Sequence, residues 1–574
     1  MVTPGVSRFS PRAAALLRAA AVLLLLAGVY LLSSLLYFRI DLTSEKRFSV
    51  SPPTRQLLQN LDDVVFVRVY LEGNLPSGFV QLKEATRNML EEFKAQGNGQ
   101  VDYAFFNPDE AASDKEKKAI YEELMEKGLS PTNLMVKEDG EQIQKIIFPG
   151  AIIGYKGREY PISLLENQIG FSPQEALHHS AILLEYKLIH AIRKLQQYQK
   201  PVVGFTGGHG ELTDAQLSDW QQTLMAGQYE VMRVDLDSVA RIPDAVKVLI
   251  VAGPRFPFTD QQKYKMDQFV MRGGNMMWLL EGTNADMDSL KRDPTGQFVQ
   301  NPELNLDDMP YRYGARVNND LIMDVNLCNP IPLITGRVGN APQTQLFPWY
   351  YFPVFASVQN HAINKNLDPV AGFFSSTVDT VRVPDIRKTI LLQSSANSRA
   401  LLSPARVHLG ILQRKPDPAS FQQPHLIGGV LLEGAFTSTY KNRVTPDFLA
   451  AMDSIPGMKF REQSPANSKM IVLGDADLAR NELRPDGSAY PLGYYRFNNQ
   501  QFANKDFLMN GVEYLADESG IFETRNKEIK LRLLDQTKTE KEKLFWQMIN
   551  VGLPIALLLA FGGLFTFWRN RRYS

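Results

Sequence analysis

Two stretches of this chain carry no charged side chain, Ala19 to Phe38 and Leu544 to Trp568, and between them apolar residues recur at the periods of globular helices and strands. The first stretch is rich in leucine (Leu23–Leu26, Leu31–Leu36) and long enough, as a helix rising about 1.5 Å per residue, to cover a hydrocarbon core of about 30 Å. A cleaved leader also opens on basic residues, here Arg8, Arg12 and Arg18. Its apolar core is shorter, about 7–15 residues, and Ser33–Phe38 offers no small-x-small cleavage site, so the segment reads as an uncleaved anchor. The second stretch ends on Arg569, Arg571 and Arg572, with Trp546, Phe567 and Trp568 placed as interfacial anchors. Within it, Pro554, Gly562 and Gly563 are tolerated by a membrane helix and allow close approach of a neighbouring one. They are candidate contacts with a partner in the membrane; an anchor that packs on nothing is the alternative.

Between the anchors, Pro52-Pro53 ends any helix leaving the membrane. Val64–Leu71 has strand composition, Phe79–Phe93 has helical spacing, and Val101–Phe106 is a second strand, which together predict a βαβ unit. A helix over Lys115–Lys127 and strands near Asn133–Lys137 and Ile143–Phe148 complete a small α/β module of thioredoxin-like arrangement, without the Cys-x-x-Cys of a redox enzyme. An amphipathic helix over Ser180–Gln197 leads into a second module. There the strand Pro201–Thr206, the turn Gly207-Gly208-His209-Gly210, a helix over Thr213–Met225, and strands at Tyr229–Val234, Val246–Ala252 and Asn275–Leu280 around a helix Asp260–Arg272 predict a Rossmann-like doubly wound parallel sheet. Asn318–Pro353, rich in Pro, Asn and aromatics, predicts an irregular lobe, and Ser403–Pro424 a flexible excursion. Regular α/β character returns with Lys469–Asp477 and the helix Lys505–Ala516, and Glu523–Lys543 reads as a charged stalk. The expected organisation is a tail (1–18), an anchor (19–38), a thioredoxin-like module (39–198), a Rossmann-like module with irregular insertions (199–520), a stalk (521–543), a second anchor (544–568) and a short tail (569–574).

Composition narrows the function. The 62 basic and 62 acidic residues cancel, and no Lys/Arg block supplies the basic face that a nucleic-acid binder needs. The single cysteine, Cys328, forms no internal disulfide, and no Cys cluster exists for a structural metal, so neither metal nor cofactor is expected. Charge does not orient the anchors, because three Lys/Arg flank each side of both: Arg8, Arg12 and Arg18 against Arg39, Lys46 and Arg47, then Lys538, Lys541 and Lys543 against Arg569, Arg571 and Arg572. Two spans nonetheless place both termini on one side and residues 39–543 on the other.

The best candidate ligand site is Gly207, Gly208, His209 and Glu211, because small residues after a strand let backbone amides approach an anion. A tight strand–helix turn explains the same residues, and no P-loop or dinucleotide fingerprint is present. The second module resembles the glutamine-amidotransferase-like Rossmann family, whose nucleophile is a cysteine on a sharp strand–helix turn. Cys328, in Asp324–Pro330, lacks that setting and reads as buried or incidental. Asp475 and Asp477 read as strand-end carboxylates capping the next helix, with an acid/base or metal role as the alternative. His178-His179 reads as a surface pair. No catalytic residue is assigned.

Nearly the whole chain resembles the GldG family, the gliding-motility-associated accessory subunits of Bacteroidota ABC transporters. The residues that carry the resemblance are Arg39–Ser49, Val69–Pro76, Ala151–Glu159, Gly207–Glu211 and Arg569–Ser574. The resemblance implies an inner-membrane, non-catalytic subunit with a periplasmic ectodomain and cytoplasmic termini. It also implies a permease partner, GldF, and a cytoplasmic ATPase, GldA, reached through that permease. The second module is similar in addition to a Rossmann-like domain shared with an intraflagellar-transport protein and suspected of carbohydrate binding, which implies a glycan partner beside membrane lipid.

Overall fold

The computed structural model describes residues 20–28, 49–110, 113–138, 141–166, 172–293, 295–338, 341–358, 361–413, 416–454, 457–526 and 536–573. They divide into a unit up to Lys527 and a second from Glu528. Of the predicted first anchor, residues 20–28 are helical; Ala19 and residues 29–38 lie outside the described residues.

The first unit opens with α1 (Pro52–Gln59), β1 (Val65–Val69), α2 (Ser77–Gln96) and β2 (Val101–Phe105), then α3 (Asp114–Glu126) and the hairpin of β3 (Thr132–Glu138) and β4 (Glu141–Ile147). A second hairpin, β5 (Gly150–Tyr155) and β6 (Arg158–Ser163), precedes α4 (Pro173–Gln196). One four-stranded sheet runs β2-β1-β5-β6, with β1 and β2 parallel, as the predicted βαβ unit requires, and the other neighbours antiparallel. Val65, Val67 and Val69 alternate inward along β1 and are fully buried. Burying each such side chain contributes roughly 1.5–3 kcal/mol. Helix α4 starts at a capping box, Ser172 and Glu175, with Pro173 in its first turn. Its Leu184, Leu188, Ile192 and Leu195 complete the core of this sheet, while Tyr186 enters the core of the next module. A polar strip of α4 closes the junction: the Tyr186 hydroxyl donates to Glu513 at 2.9 Å, and Arg193 pairs with Asp517.

The larger sheet begins with β7 (Val202–Gly207), α5 (Ser218–Ala226), β8 (Glu230–Asp235), β9 (Val246–Ala252), α6 (Asp260–Met271) and β10 (Asn275–Leu279). It continues through β11 (Cys328–Val338), β12 (Ala341–Ser357), β13 (Ile386–Gln393), β14 (Ile427–Gly434) and β15 (Lys469–Leu473) to α7 (Asn504–Ala516). The order is β11-β12-β13-β14-β15-β10-β9-β7-β8, with a two-residue strand, Val370–Ala371, beside β12. Five strands, β8-β7-β9-β10-β15, are parallel; those from β14 outward are antiparallel. Both faces of the parallel part are covered. Ile471 and Leu473 share a core with Trp220 of α5 and Phe507 and Val512 of α7, whereas Met470 and Val472 share one with Met266 and Phe269 of α6. This two-sided burial explains the unbroken apolar runs in these strands. Because the order reverses at β7, the topological switch point of the sheet lies between the carboxyl ends of β7 and β9.

Four expectations differ from the structure. The lobe expected to be irregular over Asn318–Pro353 contains the long hairpin of β11 and β12. Its prolines are compatible with a strand because β11 is an edge: Pro330 faces Pro348 in register, and a shift between Cys328 and Pro330 absorbs the mismatch. The excursion over 403–424 contains a strand, Ala405–Val407, paired with Gln297–Val299, and Phe421 is buried. Residues 521–526, assigned to the stalk from their charge pattern, form a 3-10 turn whose Ile521 and Phe522 enter the cores of the two modules. The predicted helix over Thr213–Met225 begins only at Ser218.

The second unit is α8 (Gln536–Tyr573). Among the described residues its segment Glu542–Arg572 is the one helix long and apolar enough to cross a membrane, and its large apolar side chains are exposed.

Candidate functional site

The loop after β7 is fastened at the switch point by its own backbone. The His209 carbonyl accepts the N–H groups of Arg255 and Phe256 at 2.7 and 2.9 Å, and the Leu212 N–H donates to the Ala252 carbonyl at the end of β9 at 3.0 Å. This path needs φ of +104° at Gly208 and +74° at Gly210, and a Cβ on Gly210 would lie 2.9 Å from the Phe256 ring. The His209 ring is 4% exposed and stacks on Phe258, with centroids 3.7 Å apart and planes 11° apart. Its Nε2 lies 3.0 Å from the Gln262 Oε1 and its Nδ1 lies 3.3 Å from the Glu211 carboxylate. Glu211 also accepts the His209 N–H at 2.7 Å.

Gln262 connects three loops. Its Oε1 accepts the Thr259 N–H at 2.8 Å, completing the capping box of α6, and its Nε2 donates to Asp237, after β8, at 2.8 Å. The polar groups of His209 and Glu211 are thus engaged by the protein itself. A Cβ on Gly207 or Gly208 would meet nothing within 4 Å, so the backbone there borders open space.

A second group lies where β10 and β15 end. Asp475 is fully buried and accepts from the Phe373 N–H at 2.7 Å, from the Ser375 hydroxyl and from the Leu478 N–H at 3.2 Å. It therefore pins the 373–375 segment and caps the turn that follows, Asp477–Ala479. Glu281 accepts the Ala476 N–H at 2.8 Å. Burial, reinforced by the neighbouring carboxylates, holds Glu281 and Asp475 well above the usual carboxylate range; burial also raises Asp477, against the pull of Arg480 at 3.3 Å.

Next to these carboxylates lies a cavity of about 550 Å³. Phe373, Tyr494 and Phe497, all half-buried, supply aromatic faces, and Ile331 and Leu333 of β11 form an apolar wall. Each of its cationic side chains is paired with an acidic one: Arg480 with Asp477, Lys291 with Asp288 at 2.9 Å and Arg496 with Glu482 at 2.8 Å.

Residues 200–511, more than half of the chain and the part that builds this sheet and cavity, match the model of the ABC-type uncharacterized transport system family. The chain belongs to that family. Residues 44–154 also match a domain of unknown function, DUF7088. An uncharacterized protein of Borreliella burgdorferi is 21% identical over 556 residues, covering 94% of this chain and 95% of its own. Among solved structures, the mmIFT52 N-terminal domain aligns over 55% of this chain and 96% of its own with 13% identity and a TM-score of 0.30. A putative ThuA-like protein of Parabacteroides merdae aligns over 55% and 90% with 11% identity and a TM-score of 0.24.

The remaining candidates sit elsewhere in this family member. Cys328 opens β11, and burial together with Asp324 pushes its thiol up to about 12, the reverse of an activated thiolate. His178 and His179 are half-buried on α4, not free on the surface, and His179 lines a crevice with Asp506 and Arg525. Pro554, Gly562 and Gly563 all lie in α8, and a Cβ on either glycine would meet nothing within 4 Å, so both positions are open to a neighbouring helix. Sequence reasoning missed Phe258, Gln262 and Glu281, and the cavity aromatics. Two local signals were available: the Thr259-x-x-Gln262 capping pattern and the concentration of rings at Tyr490, Tyr494, Tyr495 and Phe497.

Proposed function

We propose that this protein is a non-catalytic, membrane-anchored accessory subunit of an ABC transport system of the gliding-motility type. The observation that carries the reading is a family match over residues 200–511 in a chain that ends in one long, apolar, outward-facing helix, Glu542–Arg572. In this reading the globular unit is a periplasmic ectodomain and both termini are cytoplasmic. The partners are a multi-span permease of the GldF type and, through it, an ATPase of the GldA type. The raised thiol of Cys328 and the internal engagement of His209 and Glu211 support a non-catalytic role.

The contact with the permease is assigned to the face of α8 bearing Gly562 and Gly563, where the absence of side chains lets another helix approach closely. Purification of the full chain from native membranes in mild detergent, with mass spectrometry of what accompanies it, tests the reading. Recovery with a permease and an ATPase, lost in the Gly562→Leu/Gly563→Leu variant, is expected. Recovery of the wild type as a free monomer overturns it.

A further inference from the structure

We infer that the cavity between the carboxyl ends of β10 and β15 and the wall of β11 binds a small organic cation, an amine carried on an apolar body. The position is one where open α/β sheets hold ligands, outside the carboxyl ends of parallel strands, and a volume of about 550 Å³ falls in the small-molecule range of about 300–1,000 Å³. Two features of the lining fix the class. The first is apolar surface: Leu333, Phe373, Tyr494 and Phe497 are all half-buried and face the volume, which suits an alkyl or aryl body.

The second feature is charge. Four carboxylates, those of Asp286, Asp288, Asp477 and Glu482, stand in the lining against three cations, and each cation already holds a carboxylate: Arg480 that of Asp477, Lys291 that of Asp288 and Arg496 that of Glu482. Asp286 is the remainder. It is half-buried, accepts the Asp288 N–H at 3.2 Å and the Ser289 hydroxyl at 3.1 Å as the cap of the short helix Met287–Arg292, and enters no ion pair among the described residues. A half-buried carboxylate attracts a cation more strongly than an exposed one, because less water screens it. Aromatic faces add to the attraction, and rings of this cluster already take cations: Arg496 lies 4.7 Å from the Phe497 centroid, and Arg484 lies 4.2 Å from that of Tyr490, on which Tyr494 stacks. An anion would meet no uncompensated positive charge, and a neutral ligand of the same shape would leave Asp286 without a cation.

The test is calorimetric titration of the full chain in nanodiscs of zwitterionic lipid, with protein-free nanodiscs as the blank. Three probes share one shape: phenylbutylammonium, phenylbutanol and phenylbutyrate. Saturable binding of the ammonium, about tenfold tighter than the alcohol and with the carboxylate weakest, is expected. Asp286→Asn keeps a side chain that caps the helix and should bring ammonium and alcohol to within about threefold of each other. Tyr494→Ala should weaken both by at least about fivefold, and Phe298→Ala, whose ring is exposed outside the cavity, should change neither. No saturable binding of the ammonium, alcohol or carboxylate bound as tightly, or wild-type behaviour in correctly folded Asp286→Asn or Tyr494→Ala protein, overturns the inference. Co-purification with a permease is a separate measurement, so failure here leaves the subunit reading standing.

Discussion

Two regions at the same edge of the same sheet dispose of their polar groups in opposite ways. The loop after β7 looks like a ligand cradle in sequence, yet His209, Glu211, Gln262 and Asp237 hydrogen-bond to one another or to the backbone, and Phe258 covers the imidazole. The cavity beside β10 and β15 has no such signature, but its rings at Tyr494 and Phe497 are only half-covered and its charged pairs stand at the rim. A buried polar group without a partner costs about 1–3 kcal/mol, so the loop can keep its histidine inside only by satisfying it. What resembles a site by residue type is here a fastening, and the open surface lies where the residue types are ordinary.

The largest expected effect comes from breaking the fastening. His209→Ala removes a stacked ring at 4% exposure, two side-chain hydrogen bonds and the packing of Phe258, and should lower unfolding free energy by about 3 kcal/mol in denaturant titration. A loss below about 1 kcal/mol would mean that the loop is held by its backbone alone. The carboxylates between the two regions give the next effect, through pH. The folded pKa of Asp475 lies above its unfolded value near 4, so the folded state holds the extra proton and stability falls as pH rises from about 4 to about 8, by at most about 1.4 kcal/mol per pH unit. Asp475→Asn should flatten that slope whatever it does to the absolute stability. An unchanged slope would place the titration on other groups.

The two regions also differ in how far sequence could reach them. Val202–Phe205, Val246–Ala252 and Met470–Leu473 were legible as strands because burial on both faces leaves nearly continuous apolar runs, and α4 because its apolar stripe is regular. The hairpin of β11 and β12 was not, since five prolines (Pro330, Pro332, Pro342, Pro348 and Pro353) mask strand propensity that edge position and register shifts permit. His209 stood out between glycines, but its meaning depends on Gln262, 53 positions away, and on Phe258, and no local pattern reports such a pairing. The cavity is assembled from segments near residues 290, 331, 373, 480 and 495, so it exists only once the sheet order is known. The second anchor, by contrast, needs only uncharged length, which is why α8 was readable from the sequence.

Gln262→Leu gives a smaller effect than His209→Ala and dissects it. The variant keeps the helix-forming length but loses the reciprocal cap at Thr259 and the bonds to His209 and Asp237, at a cost of about 1–2 kcal/mol. In a double-mutant cycle with His209→Ala the two losses should fall short of additivity, because both variants remove the same Nε2–Oε1 bond. Full additivity would show that Gln262 acts through its cap alone.

The smallest effect on stability is expected at the cavity. Tyr494 is half-exposed and its hydroxyl donates to Asn499, itself exposed, so Tyr494→Ala should change unfolding free energy by less than about 1 kcal/mol. That small number is informative because of the contrast with His209. A ring that contributes little to folding yet remains stacked on Tyr490 beside an open volume is held for something other than the core. If Tyr494→Ala instead destabilises as much as His209→Ala, the cavity wall is a fastening as well, and the distinction between the two regions disappears.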